Sequence, residues 1–277
     1  MTSSTITTPD FTSHQLRLDW TQPDLPIHWY NDSPFYSHFM NALGASFIDG
    51  EKFFIDSLMV YKDEISQDPQ LQANVQEFIR QENWHRYQHT LYNRWLDSRG
   101  LPAEQIELDM RDFWVKMRSR WGDRACLAAT IAMEHITARN AELMLKYRKS
   151  FKIMHPHFES VWRWHSIEEI EHKSVSVNVW NRIGGDNTTR RLAMLVVLYY
   201  YTYFMTRNTL KLLVADPQRG SIWKMIKDAG TILWERRSGL LRNSWSSVWD
   251  YMTNPNWHPD HTDHLSLIHI SEPTRPY

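Results

Sequence analysis

A chain of 277 residues with 31 Lys+Arg against 32 Asp+Glu carries a formal charge of −1, which provides neither the polycationic surface of a nucleic-acid binder nor an acidic tail. At 42% hydrophobic and 23% charged residues it falls outside the disordered and multispan membrane classes, and its length allows a large buried core. The one thiol, Cys126, permits no intramolecular disulfide and no cysteine-rich zinc or iron–sulfur site. The opening MTSSTITTPDF has no charged segment followed by an apolar run, so no secretory signal is legible and a cytoplasmic address is the expectation.

Chain order gives an all-α reading. The closing stretch Leu265–Tyr277, LSLIHISEPTRPY, resembles the in-frame translation of a sequencing-library adapter and is set aside; on that reading the native chain continues past His264. Glycine is at about half its usual share, and long stretches free of Gly and Pro read as helices. The first covers roughly Ser33 to Ile65, with Met40, Leu43, Phe47, Phe54, Ile55 and Leu58 at 3–4 spacing. Asp68-Pro69 opens a second helix as N-cap and first-turn proline; it runs to about Ser98 and stops at Gly100. A shorter helix, Glu104 to Arg120, leads into a third main helix at Asp123 to Lys149. The fourth spans His157 to Ile183 and closes at Gly184-Gly185, the fifth Thr188 to Ala215, and the sixth Ser221 to Arg237. Ser244 to His264 reads as a short helix plus loop. No strand alternation, repeat or linker is visible. The expected organisation is an N-terminal extension over 1–32 and a single helical metal-binding domain over 33–264, built as a ferritin-like bundle with extra C-terminal helices.

The fifth helix contains 14 residues without a charge, Leu192 to Met205, LAMLVVLYYYTYFM. That is short of the roughly 20 needed to span a bilayer. The reading is a helix at the centre of a large bundle, with the wall of an apolar substrate pocket and contact with a membrane surface as alternatives.

Carboxylates and histidines interrupt the apolar stripes. On the second helix the stripe reads Leu71, Val75, Phe78, Glu82, His85, His89, Tyr92. On the first, Glu51 sits between Phe47 and Phe54/Ile55; on the third, Glu134 falls between Leu127/Ile131 and Ala138/Ala141. On the fourth, Phe158 and Val161 lead into His165, Glu169, His172, Val175 and Val179. Each helix thus points a Glu inward, and each buried carboxylate costs several kcal/mol unless compensated. Protonation is one remedy. Two divalent cations against four negative charges are a better one.

The order carries the specificity: Glu51, Glu82-x-x-His85, Glu134, Glu169-x-x-His172. An i, i+3 Glu/His pair shares a helix face, so both side chains reach one metal. A Glu from each of two helices plus Glu-x-x-His from two others is the dinuclear carboxylate plan of helical bundles. His165, one turn before Glu169, adds a third imidazole. His89 has no place in the plan and is read as a partner supporting a ligand, or as a satisfied core histidine. Glu168 is read the same way, and with Glu171 as hydrogen-bonding or solvated rather than ligating. His135 points about 100° from Glu134; it and the pairs His155/His157 and His258/His261 receive no role, the pairs being read as surface residues.

AMEHITA (Ala132 to Ala138), WHSIEEIEHKSVSVNVW (Trp164 to Trp180) and QENWHRYQH (Gln81 to His89) resemble the bacterial family labelled "predicted metal-dependent hydrolase", over about Asp24 to Asp260 and including the NWHP near the end. The ligand order is separately similar to that of the di-iron arylamine N-oxygenases. That likeness implies Glu51, Glu82, His85, Glu134, His165, Glu169 and His172 as metal ligands. Mixed carboxylate and imidazole at adjacent sites suits iron first, then manganese or zinc.

The leading expectation is therefore a di-iron enzyme that oxidises or oxygenates a small apolar or aromatic substrate with O2, drawing on an electron donor protein. The alternative is a metal-dependent hydrolase with a metal-bridging hydroxide. The third is a non-catalytic metal-binding or helical binding protein. A small-molecule substrate and a homodimer are the expected partners, with no nucleic acid and no stable membrane insertion.

Overall fold

The computed structural model describes residues 7–147 and 152–262, and among them the fold is all-α. The helices are α1 (Pro34–Met59), the single turn α2 (Lys62–Ile65), α3 (Pro69–Ser98), α4 (Ala103–Arg120) and α5 (Asp123–Lys146). They continue with α6 (Pro156–His172), α7 (Val175–Arg182), α8 (Asn187–Ala215), α9 (Ile222–Trp234), α10 (Leu240–Thr253) and a 3₁₀ turn at Pro259–Thr262. Starts and stops follow local chemistry. Asp68 caps α3 by accepting from the Gln70 and Leu71 amides at 3.1 and 3.0 Å, with Pro69 behind it. Gly100 and Gly184 take φ of 80° and 65° just past α3 and α7. In both turns the glycine and the following residue return amides to the last helical carbonyls (Gly100 N to Asp97 O, Leu101 N to Leu96 O; Gly184 N to Asn181 O, Gly185 N to Trp180 O).

Four helices form the centre. α1 packs on α3 and α5, and α6 packs on the same two, closing a ring. α4 lies against α1 and α3, and α8 against α1 and α5. Fully buried Phe78, Leu127, Ile131, Phe158 and Val161 supply the apolar interior around the polar residues of the ring, each worth about 1.5–3 kcal/mol of burial. The segment before α1 is part of this core. It buries Leu16, Trp20, Leu25 and Trp29, stacks Trp20 on Tyr92 at 4.8 Å and Trp29 on Phe158 at 4.6 Å, and meets the start of α6 through the Tyr30–Met154 bridge.

Several expected elements differ. The first helix ends at Met59, and Val60-Tyr61 separate it from α2. The fourth helix is interrupted at Lys173-Ser174, directly after His172; both residues keep φ/ψ near the helical region, so the axis bends rather than turns. The bend falls where serines alternate with Val175, Val177 and Val179, weak helix formers that compete with or crowd the backbone. The last helix begins at Leu240 rather than Ser244. The third helix is described only to Lys146, so its expected end at Lys149 lies outside the described residues, as do His264 and the adapter-like tail. The apolar helix α8 is not buried all round. Ala193, Met194, Val197, Met205 and Leu212 face α1 and α5, while Leu192, Leu195, Tyr199 and Tyr203 are exposed. Its length of uncharged sequence reflects two apolar faces, only one of which the described residues cover.

A Cβ at Gly184 would meet nothing within 4 Å, so its requirement is conformational alone. Gly184→Ala is expected to lower unfolding free energy by about 1 kcal/mol, read from the denaturant midpoint at constant slope. An unchanged midpoint would contradict this account of the turn.

Candidate metal centre

Glu51 from α1, Glu82, His85 and His89 from α3, Glu134 from α5, and His165, Glu168, Glu169 and His172 from α6 all point into the ring, and all are buried. Apart from Glu168, which flanks the stripe of α6, each sits where helical periodicity calls for an apolar side chain. The helices deliver them because the neighbouring turns, such as Phe47 and Phe54 around Glu51 or Phe158 and Val161 before His165, are anchored in the core.

The three inner imidazoles share one arrangement. His85 presents Nδ1 inward, 3.9, 3.7 and 3.8 Å from Glu51, Glu82 and Glu169, while Nε2 donates to Glu168 Oε2 at 3.0 Å. His172 presents Nε2 inward, 3.4 Å from both Glu82 and Glu134 and 3.8 Å from Glu169, while Nδ1 donates to Gln81 Oε1 at 2.8 Å. His165 presents Nε2 to Glu169 Oε1 at 3.1 Å, while Nδ1 lies 3.2 Å from His89 Nε2. In every case the outward nitrogen is held and the inward nitrogen has no hydrogen-bond partner. An outer partner that fixes tautomer and ring direction is what a metal-binding histidine needs.

The carboxylates are orphaned in the same sense. Both oxygens of Glu51, Glu82 and Glu134, and Oε2 of Glu169, are buried without a hydrogen-bond partner. Among the described residues their ion pairs are with histidine alone. Burial, then repulsion from neighbouring carboxylates, pushes Glu51, Glu82 and Glu134 well above the ordinary carboxylate range. Burial acts on Glu169 in the same direction, but its bond to His165 and the surrounding imidazoles outweigh it and hold that carboxyl below its usual value. Burial pushes His85 well down, and His172 down to about 3. The interior is thus a cage of donor atoms whose lone pairs the described residues leave largely unsatisfied. Cations fit it.

Three groupings bring ligand atoms within 4.8 Å of one another: Glu51/His85/His165, Glu82/His85/Glu169 and Glu82/Glu134/His172. Glu82 and His85 are shared between groupings, so the donors spread over an elongated cage rather than around one point. All seven residues of the expected ligand set are brought together. His89 is outside the groupings and serves His165; Gly44 makes room for it, since a Cβ there would lie 3.2 Å from His89 Nδ1. Glu168 is fully buried rather than solvated, with Oε1 accepting from the His14 amide at 2.7 Å. Glu171 accepts from Gln81 Nε2 at 2.8 Å.

Two features escape sequence reasoning. Gln81, the partner of His172, lies one residue before Glu82 and therefore about 100° away on the helix; only the approach of α6 gives it a role. His157 is buried, not superficial, edge-on to Trp20 at 4.7 Å. His135 is buried too and turned away from the cage, with Nε2 3.1 Å from Ser247 Oγ.

A fourth grouping, His28/His38/Asp216, is of a different kind. Asn41 Oδ1 accepts from Trp29 Nε1 and the Tyr92 hydroxyl, so Asn41 Nδ2 donates to His38 Nδ1 at 3.2 Å. That leaves the His38 proton on Nε2, where it is given to Asp216 Oδ2 at 3.0 Å; His28 Nε2 adds a second bond at 2.7 Å. This cluster satisfies itself and ties the N-terminal segment and α1 to the end of α8.

Phe47, Gly50, Phe54, Met133, Tyr200 and Phe204 bound a small apolar cavity of about 50 Å³. Phe47 also stacks on His165 at 4.8 Å. Leu43 and Tyr201 line both this cavity and a wider cleft of about 860 Å³ between α1, α5, α9 and α10. Tyr200, Tyr201 and Phe204 of α8 thus line a cavity.

An all-α ring enclosing a sealed Glu/His cage defines a helical protein with a candidate metal centre. The sequence profile described as "predicted metal-dependent hydrolase" matches residues 12–263, and the chain belongs to that family. No curated protein and no solved structure matches it.

Glu134 titrates in the folded, metal-free protein well above its unfolded value. Its ionisation therefore costs stability once pH rises past the ordinary carboxylate range, fully so above the folded value. Glu134→Gln removes that cost. The metal-stripped variant is expected to melt several degrees above metal-stripped wild type at about pH 8, the gain shrinking as pH falls toward the carboxylate range. An equal or lower Tm at the alkaline end would contradict the geometry described.

Proposed function

We propose that the chain is a dinuclear metal enzyme that hydrolyses a small molecule with an apolar or aromatic body. The observation that carries this reading is the set of inward nitrogens and carboxylate oxygens with no protein partner, in a chain of the metal-dependent hydrolase family. Glu51, His165 and His85 would hold one ion, and Glu82, Glu134 and His172 the other. Glu169 faces both halves of the cage. Divalent cations there supply Lewis acidity and make water nucleophilic near neutral pH.

The chain's own residues do the rest. Glu168, Gln81 and His89 keep the outward imidazole nitrogens occupied, so the inward lone pairs stay free for metal. Phe47, Phe78, Trp162 and Trp164 ring the histidines and exclude bulk water. The wide cleft would receive the substrate body, with Leu43 and Tyr201 between it and the small apolar cavity. A thiol nucleophile has no part: Cys126 is buried, its thiol pushed up by that burial, and its Sγ faces the Trp121 carbonyl at 3.8 Å.

O2-dependent oxidation by a di-iron form is the second reading, favoured by the third inward imidazole, His165, whose ring lies 4.0 Å from that of His85. The two readings separate without oxygen. Protein loaded with Mn(II) or Zn(II) is expected to cleave aryl or short-chain acyl esters, amides or phosphodiesters anaerobically, and Glu51→Gln should lose at least about 100-fold in kcat/KM. O2 uptake by the Fe(II) form, with no anaerobic turnover of any of these classes, would replace hydrolysis with oxidation.

A further inference from the structure

The bundle leaves α9 outside its core, and α10 enters that core through its one buried residue, Tyr251. α9 has no buried residue, yet it is strongly amphipathic and apolar-rich; it meets the rest of the protein through α1 and α10. Its outer stripe runs Trp223, Ile226, Gly230, Trp234, at spacings of three and four residues, with Trp223 77% exposed. α10 repeats the pattern with Leu241, Trp245 and Trp249, the two tryptophans 67% and 60% exposed. A solvated helix pair does not ordinarily offer four tryptophans to water.

The charge on this pair is as one-sided as its aromatic content. Arg219 to Thr253 carries six basic residues (Arg219, Lys224, Lys227, Arg236, Arg237, Arg242) and three acidic ones, an excess of three positive charges in a chain whose total is −1. The acids are engaged by the protein, Asp250 by accepting from Asn254 Nδ2 at 3.3 Å. Asp228 accepts from Ser33 Oγ at 2.5 Å and pairs with Lys224 at 2.9 Å, and Glu235 accepts from the Ser238 amide at 3.1 Å. Lys227, Arg236 and Arg242 are left exposed beside the tryptophans. Two copies of this face brought together would oppose like charges in excess. An anionic lipid surface has the complementary charge, and its interface is where amphipathic indole rings settle with basic side chains around them. No helix of the described residues is long and apolar enough to cross a membrane, so the pair would lie along the surface.

We propose that the outer faces of α9 and α10 dock the protein on an anionic membrane surface. The wide cleft opens at this same pair, with Thr231, Ile232, Arg237 and Leu240 on its rim. Docking sets that mouth against the interface, where an amphiphile enters with its apolar end toward Leu43. The entry route rests on the enzyme reading above; the docking does not, and its test uses no activity.

The full-length protein is mixed with vesicles of phosphatidylcholine alone and of phosphatidylcholine with phosphatidylglycerol, and the bound fraction is measured by co-sedimentation. Binding is expected only to the anionic vesicles, weakening strongly between about 0.05 and 0.5 M salt. Lys227→Glu and Arg242→Glu should each weaken it at least about fivefold. The exposed substitutions Trp223→Ala and Trp245→Ala together should weaken it at least about tenfold with an unchanged circular dichroism melt. Absence of binding to either vesicle would overturn the proposal. So would a stable dimer that the tryptophan substitutions convert to monomer without any change in vesicle binding.

Discussion

Burying four carboxylates in one cage, with no Lys or Arg among the described residues paired to them, is the constraint on which the rest of this structure depends. Leaving all four ionised and uncompensated would cost more than a domain of this size has to spare. Burial and mutual repulsion raise Glu51, Glu82 and Glu134, whereas at Glu169 burial is outweighed by the neighbouring imidazoles, His165 first, which lower it. The result is a set of lone pairs aimed at shared space, which cations fit.

The outer partners show that the cage is built rather than merely tolerated. Glu168 is fixed by the His14 amide, and Trp164 Nε1 donates to the His14 carbonyl at 2.9 Å. Gln81 is steadied by Glu171, and Gln88 on the same helix donates to the Leu16 carbonyl at 2.7 Å. The irregular segment ahead of α1 therefore reaches the site at one remove: its backbone sets Glu168, Glu168 sets His85, and His85 turns Nδ1 inward. The family match beginning at residue 12 takes in this strap as well as the helices.

The sequence was most legible where one helix face decides the outcome. Glu82/His85 and Glu169/His172 lie on single faces by periodicity, and Glu51 and Glu134 break stripes that would otherwise be apolar, so all seven inward residues could be read from spacing. Caps and glycine stops were legible for the same local reason. What depended on approach between helices was not. Gln81 and Glu168 lie off the stripe of their own helices and gain partners only because α3 meets α6 and the N-terminal strap crosses both. The long uncharged run of α8 suggested burial, but hydrophobicity alone does not say how many of its faces have neighbours. The breaks after Met59 and His172 occur inside apolar periodicity that runs on unbroken. The ligand order pointed first to oxygen chemistry, whereas the family places the chain among metal-dependent hydrolases, because a bundle and a ligand set do not by themselves choose a reaction.

Equilibrium dialysis of the metal-stripped protein against Mn(II) or Zn(II), for wild type and Glu82→Gln, tests the central claim most directly. Glu82 faces both His85 and His172, so it touches both halves of the cage. The account predicts about two ions bound per chain in wild type and loss of full loading at both positions in the variant. No bound ion in wild type, or two ions retained by Glu82→Gln with unchanged affinity, would contradict it.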